Sequence, residues 1–266
     1  MTVRPSTLRL AAIADLCALP LAASEDQWQD IQGRKELRCG AFADVPPFAA
    51  PDPKTREMVG FDADLCNAIA KRLGLAAKMG RVDVTVANLA YTLGRAEQIQ
   101  FSDPYYLAKE MLAVKASDPS TSKADFKGKR LASTKGSTSE LSIKMNGSEP
   151  VTFQDTGSAY MAVQQNKALG MVANTMTITK LVNQSKTGGV ELKMIAEPMA
   201  FQPIGVGMKK DEPALLAKIN ATLLEMDKAG EINQLWDKWL GPNTEFKMVR
   251  TDKVVPLSEL KFTPLP

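Results

Sequence analysis

Short apolar segments typical of buried strands alternate with amphipathic helical segments along most of the chain. The clearest helices are predicted at residues 62–73, 213–228 and 231–240, and short strands are predicted between such segments, for example at 37–42 and 82–86. Repeated alternation of this kind predicts a mostly parallel sheet with helices on both faces. The sequence therefore predicts an α/β protein, and 266 residues are enough for one large or two modest domains.

Residues 82–106 place an arginine just past the carboxyl end of a predicted strand. The segment reads VDVTVANLAYTLGRAEQIQFSDPYY, and its helix opens at Thr92 and carries Arg95. Open α/β sheets bind ligands at the carboxyl ends of their strands. An arginine suits a carboxylate there, because its planar fork donates two parallel charge-assisted hydrogen bonds. A solvated surface charge is the alternative interpretation of Arg95.

A second anion-binding feature is predicted where the segment GSTSE opens a helix at residues 136–140. Free backbone amides and the helix dipole favour an anion at such a helix N-terminus. A capping box between Ser137 and Glu140 is the alternative. Both can hold at once, because a cap leaves other first-turn amides free for a ligand.

Seven motifs together closely resemble the bacterial extracellular solute-binding proteins that deliver polar amino acids to ABC importers. They are the 82–106 segment, LRCGAF, PPF, GFDADL, DFKGK, GSTSE and the closing LWDKWLG. The resemblance implies a two-lobed periplasmic-binding-protein fold of type II, in which each lobe is a mostly parallel sheet flanked by helices and the ligand lies between the lobes. It implies that lobe I covers residues 24–109 and 204–266, including the C-terminal tail, and that lobe II covers residues 110–203.

The resemblance also implies which residues contact the ligand. Arg95 grips the ligand's α-carboxylate, and amides around Ser137 and Thr138 complete the clamp from lobe II when the lobes close. The turn before the arginine contributes backbone and side chains, which here belong to Asn88, Ala90 and Thr92.

Three further positions have a predicted role beside an alternative. Ala90 stands where serine or threonine is common in the family, so only its backbone amide can help. Phe48 matches an aromatic residue that often lines the pocket, and a core phenylalanine is an equally good interpretation. Asp44 could meet a cationic group on the ligand or cap the turn, and we favour the cap.

Two substitutions within the family pattern limit what the resemblance implies about the ligand. Val45 stands where the family often has an aromatic residue that stacks on the ligand. Asn174 stands where the family has a lobe II aspartate that pairs with the ligand's α-ammonium. A neutral hydrogen bond is about half as strong as a charge-assisted one. The sequence therefore predicts a small carboxylate-bearing solute more firmly than an α-amino acid.

The largest departure from the family is a short connection between Gly74 and Arg81. Only six residues stand there, where the family has a strand and most of a helix. A parallel crossover normally takes a dozen or more residues. We therefore expect lobe I to lack its edge strand and to be destabilised or rearranged.

The N-terminus is predicted to be a cleaved export signal covering residues 1–23. Arg4 and Arg9 supply positive charge to a mostly apolar stretch that ends in small residues. Cleavage would place the mature protein in the periplasm. We expect Cys39 and Cys66 to be separately buried thiols there, and a disulfide is the alternative, because sequence does not fix their geometry.

The sequence favours binding over catalysis. The formal net charge of +3 is too small to indicate nucleic acid, and the chain has no histidine to serve as a general base or metal ligand. We predict a monomeric periplasmic receptor that needs no cofactor, binds an amino acid or similar carboxylate, and docks on the permease of an ABC importer. The alternative is an enzyme resembling cyclohexadienyl dehydratase, which needs an acid in the lobe II half of the pocket, where Asn174 is neutral.

Overall fold

A computed structural model describes residues 27–43, 45–80 and 82–266 of the chain. The predicted signal, residues 1–23, lies outside the described residues. The helices are α1 (Gln27–Arg34), α2 (Phe61–Arg72), α3 (Leu93–Gln98), α4 (Thr138–Met145), α5 (Thr156–Gln164), α6 (Thr175–Ser185), α7 (Pro213–Lys228) and α8 (Glu231–Trp239). The strands are β1 (Glu36–Gly40), β2 (Ala50–Pro51), β3 (Met58–Val59), β4 (Ala76–Met79), β5 (Val84–Thr85), β6 (Gln100–Phe101), β7 (Tyr106–Lys115), β8 (Arg130–Thr134), β9 (Glu149–Phe153), β10 (Gly170–Asn174), β11 (Leu192–Met194), β12 (Ala200–Ile204) and β13 (Gly207–Met208). No helix within the described ranges is long and apolar enough to cross a membrane.

Two sheets with their own apolar cores confirm the predicted α/β architecture of two lobes. The first sheet has the order β4-β1-β5-β13-β6, and β1 runs parallel to both β4 and β5. The second sheet has the order β11-β7-β10-β8-β9, and β12 also pairs with β7. We call the parts built around the first and second sheets lobe I and lobe II. The chain positions at which one lobe passes into the other remain predictions.

Strands β7 and β12 form a paired antiparallel ribbon in the sheet of lobe II. They run antiparallel in the register Glu110 with Ala200 to Tyr106 with Ile204. Alternate residues of β7 face opposite sides of the sheet, so Met111 and Leu112 belong to two different apolar clusters. Lobe II is therefore packed on both faces of its sheet.

The short connection after Gly74 contains the edge strand, so the prediction that lobe I lacks it is wrong. Strand β4 pairs in parallel with β1, from Glu36 with Ala76 to Cys39 with Met79. The connection contains no helix among the described residues between β4 and β5. The chain instead crosses β1 directly.

The crossing is held by hydrogen bonds to β1 and α1. The Gly80 amide donates to the Cys39 carbonyl at 3.0 Å, and the Asp83 amide donates to the Arg38 carbonyl at 2.8 Å. The Asp83 carboxylate accepts from Arg34 of α1 at 2.7 Å. The side chain of Val82 lies over Gly40, where an added Cβ would be 2.3 Å from Val82 Cγ1. A glycine in β1 therefore makes this direct crossing possible.

One face of the first sheet is left open to solvent where the helix is missing. The side chains of Glu36 and Arg38 form a partly exposed ion pair at 2.8 Å, and Lys78 of the neighbouring strand is exposed. Sheets that contain parallel strands are usually covered on both faces. Charged side chains let this face remain in water without a covering helix.

Cys39 and Cys66 are joined by a disulfide, so the expectation of two separate thiols is wrong. Their Cα atoms are 6.3 Å apart, within the range that a disulfide spans. Both residues are completely buried. The bond ties β1 to α2.

The C-terminal tail enters the core of lobe I. The Arg250 guanidinium is completely buried and donates to Asp227 Oδ1 at 2.8 Å and to the Tyr105 carbonyl at 2.9 Å. Leu265 is also buried, and its carbonyl accepts from the Leu93 amide at 2.9 Å. The tail therefore packs against the start of α3.

Candidate functional site

The predicted site residues lie at the carboxyl ends of parallel strands in both sheets. In lobe I, β1 leads to Phe48 and β5 leads to Asn88. In lobe II, the parallel neighbours β8 and β10 lead to Ser137 and Asn174, each of which begins a helix. Each sheet therefore brings its predicted residues together at one edge, where α/β proteins bind ligands.

Thr92 and Ala90 hold Arg95 in place. As predicted, Thr92 is the N-cap of α3, and its Oγ1 accepts from the Arg95 amide at 3.2 Å. Arg95 Nη1 donates to the Ala90 carbonyl at 2.8 Å. Arg95 is otherwise exposed, and partial burial lowers its pKa without removing its charge at physiological pH. One edge of the guanidinium is fixed, and its other donors have no acceptor among the described residues.

Three buried oxygen atoms lie beneath the turn that contains Asn88. They belong to the side chains of Asp62, Asn88 and Tyr105, and each lacks a hydrogen-bond partner among the described residues. Burial raises the pKa of Asp62 to about 7. Asp62 does not cap α2, because Gly60 is the N-cap and no side chain bonds to the first turn there.

Ser137 is a helix cap that leaves two amides free. Its Oγ accepts from the Glu140 amide at 3.2 Å and donates to the Thr134 carbonyl at 2.6 Å. The Glu140 carboxylate accepts from Gly136 at 2.8 Å rather than from Ser137, so only half of the predicted capping box forms. The amides of Thr138 and Ser139 have no acceptor among the described residues. They can therefore donate to a ligand.

Asn174 is exposed and caps α6. Its Oδ1 accepts from the Thr177 amide at 2.9 Å. The oxygen keeps a second lone pair, so the cap does not prevent it from accepting another bond. In the sheet, Asn174 lies directly opposite Glu110 of β7.

Phe48 packs in the core of lobe I. It is 3% exposed and meets the ring of Phe61 edge-on, with 6.2 Å between ring centroids. These contacts are those of the core phenylalanine that was the alternative interpretation. Asp44 lies outside the described residues.

Glu110 is a polar residue near the site that sequence reasoning missed. Its carboxylate is buried and accepts from Thr138, Ser139 and Gln202. A single acid in an apolar strand gives no sequence signal of such partners. Two of the partners of Glu110 lie in α4, and they come within reach only where α4 packs against β7 in the fold.

Comparison with known proteins identifies the family to which this chain belongs. The family model of the bacterial extracellular solute-binding proteins, family 3, matches residues 76–242, which is more than half of the chain. The chain belongs to this family. It is a solute-binding protein rather than an enzyme, and its family is extracellular, which implies a location in the periplasm or outside the cell.

Individual relatives agree with this assignment. The ABC transporter glutamine-binding protein GlnH of Bacillus subtilis is 25% identical over 82% of this chain and 86% of its own length. An ancestral arginine-binding protein solved with arginine is 32% identical, with a TM-score of 0.60 over 78% of this chain and 99% of that chain. An ancestral amino acid-binding protein described as a precursor of cyclohexadienyl dehydratase is 27% identical, with a TM-score of 0.63 over 81% and 100%. The predicted type II fold is thereby confirmed.

Proposed function

We propose that this family 3 protein binds one amino acid between its lobes and delivers it to the permease of an ABC importer. The relatives named above are amino-acid-binding proteins, and one is named for an ABC transporter. The dehydratase alternative is not better supported, because its ancestral neighbour is itself described as an amino-acid-binding protein.

The observation that carries the proposal is a set of unused donors on both sides of the cleft. Arg95 offers charged donors from lobe I, and the amides of Thr138 and Ser139 offer neutral donors at the N-terminus of α4. A carboxylate can accept from both sets, because it has four lone-pair sites on two oxygens. Closing the lobes on an α-carboxylate would satisfy donors that the free protein leaves to water.

The remaining predicted residues orient Arg95, accept from the ligand's ammonium or support the site from the core. Thr92 and Ala90 orient Arg95, and Asn88 shapes the turn before it. Asn174 accepts weakly from the α-ammonium, since it is neutral and already caps a helix. Phe48 supports the floor of lobe I from within the core.

The test is calorimetric titration of wild type and Arg95→Ala with the twenty standard amino acids and L-cystine. Loss of a charged hydrogen-bond partner costs about 2 kcal/mol or more, so we expect at least a thirtyfold weaker affinity for every amino acid bound. The matched control is Arg130→Ala. Arg130 is exposed and begins β8, at the end of the strand away from Ser137. Equal affinities of wild type and Arg95→Ala would show that the carboxylate binds elsewhere.

The same proposal includes the removal of the export signal and the monomeric state of the receptor. The receptor is a monomer that meets its permease as lobe I (24–109 and 204–266) and lobe II (110–203) close. Its signal is removed after Ala23. Mass spectrometry of the exported protein should give a chain that starts at Ser24, and light scattering should give the mass of one chain. A larger mass or an uncleaved chain would contradict these two features separately.

A further inference from the structure

Glu110 is surrounded by hydrogen-bond donors inside lobe II. Its Oε1 accepts from Thr138 Oγ1 at 2.9 Å and from Gln202 Nε2 at 2.7 Å, and its Oε2 accepts from Ser139 Oγ at 2.6 Å. The residue is 2% exposed. Burial raises the pKa of Glu110, while the three hydrogen bonds act in the opposite direction. Its carboxylate thus joins α4 to the ribbon formed by β7 and β12.

These bonds fix the direction of the Thr138 hydroxyl. A hydroxyl has one proton to donate and two lone pairs to accept with. Thr138 gives its proton to Glu110, so its oxygen can act only as an acceptor toward any other group. The Thr138 amide remains a donor. One residue therefore presents an acceptor and a donor from the same helix start.

An acceptor at the start of α4 would compensate for Asn174, which is a poor acceptor for the ligand's α-ammonium. The α-ammonium of an amino acid has three protons to donate, and a neutral asparagine that already caps α6 meets it poorly. Glu110 lies directly opposite Asn174 in the paired strands β7 and β10. Its negative charge is therefore close to the end of β10 at which Asn174 lies. A hydroxyl polarised by a carboxylate is a better acceptor than an isolated hydroxyl.

We propose that Glu110 is a positioning residue that makes the Thr138 hydroxyl an acceptor for the ligand's α-ammonium, and so selects amino acids over matching acids that lack the amine. The inference rests on the proposed function, because it names the second group of the ligand bound at that site. Glu110 does not contact the ligand itself.

The experiment compares each amino acid with its analogue that lacks only the α-amino group. The pairs are L-arginine with 5-guanidinopentanoate and L-glutamine with glutaramate, and any other amino acid bound in the panel is paired in the same way. Glu110→Gln keeps the shape but removes the negative charge that polarises the Thr138 hydroxyl. Its amide nitrogen takes the place of Oε2, where Ser139 can turn its hydroxyl to accept. We expect the affinity ratio of amino acid to analogue to fall about tenfold, and affinity for the analogue to stay within about twofold.

Two further variants separate positioning from folding. Thr138→Val removes the hydroxyl at nearly constant shape and should lower the same ratio about tenfold. The double variant with Glu110→Gln should lower it no further, since both changes act through one hydroxyl. Glu149→Gln, an exposed acid at the start of β9, is the control and should leave the ratio unchanged.

The outcomes distinguish this inference from the proposed function. A wild-type protein that binds no amino acid in the panel contradicts the proposed function, and the inference falls with it. A wild type that binds amino acids and analogues equally overturns the inference alone. An equal loss of affinity for both ligands in Glu110→Gln, or an unchanged ratio in Thr138→Val, does the same. The Thr138→Val result decides the matter if Glu110→Gln does not fold.

Discussion

Removing the Cys39–Cys66 disulfide is expected to destabilise the protein strongly. The two cysteines are 27 residues apart in the sequence. The chain-entropy relation for a loop of that length gives about 3.5 kcal/mol at 25 °C. For a protein of this size each 1 kcal/mol shifts the melting temperature by about 2 to 4 °C, so the loss corresponds to about 7 to 14 °C. The bond joins β1 to α2, where the shortened connection leaves lobe I without one helix.

A double-mutant cycle measures the disulfide apart from packing. Cys39→Ala and Cys66→Ala each remove the bond and one buried sulfur, and the double variant removes the bond and both sulfurs. The sum of the two single losses should therefore exceed the double loss by about 3.5 kcal/mol. Guanidinium unfolding without reductant gives each free energy, provided that the slope with denaturant stays constant.

Two results would refute the reasoning. Additive single losses would mean that the bond contributes nothing beyond packing. A reduced wild type that unfolds at the same denaturant concentration as the oxidised protein would mean that the short connection holds the edge of the sheet without it.

Three further predictions concern the interior of lobe I. Burial raises the pKa of Asp62 to about 7, so the folded protein holds the carboxyl proton of Asp62 more tightly than the unfolded chain does. The contribution of Asp62 to stability is therefore lost as pH rises from about 4 through 7. Asp62→Asn should therefore exceed wild type in unfolding free energy at pH 8 and match it at pH 4, and parallel pH curves would contradict the burial argument. Gly60→Ala should lower the free energy of unfolding in urea by about 3 kcal/mol or more, because φ is 136° and the new Cβ would lie 2.2 Å from the Phe48 carbonyl oxygen. A loss below about 1 kcal/mol would show that this loop rearranges to accommodate the new side chain. Asp227→Ala should cost about 3 to 5 kcal/mol, since it leaves the Arg250 guanidinium buried without an acid, and an unchanged melt would mean that water reaches that charge.

Features with a local cause were predictable from the sequence. Helix α7 begins at Pro213 and ends at Lys228 as predicted, because proline favours the first helical position and the apolar spacing defines one face. Thr92 caps α3 for an equally local reason, since its hydroxyl accepts from an amide three residues along. The family motifs extended these local inferences to the two-lobed fold.

Features that depend on distant parts of the chain were missed. The edge strand Ala76–Met79 has no β-branched residue, and it is a strand because β1 supplies its hydrogen bonds. The prediction assumed that a parallel crossover takes a dozen or more residues, whereas Gly40 leaves space for Val82 to cross β1 directly. The disulfide depends on the distance between β1 and α2, which no spacing of residues reveals.

The tail of lobe I shows that the limits of a family are not the limits of a folding unit. The shared family pattern stops at residue 242, yet a buried guanidinium and a buried leucine lie beyond it, at Arg250 and Leu265. A fragment trimmed to the shared pattern would keep the Asp227 carboxylate in the interior and discard its cation. It would also uncap the first amide of the Arg95 helix. Weak binding by such a fragment would therefore measure the damage at the cut, and say nothing about the ligand preference of the intact receptor.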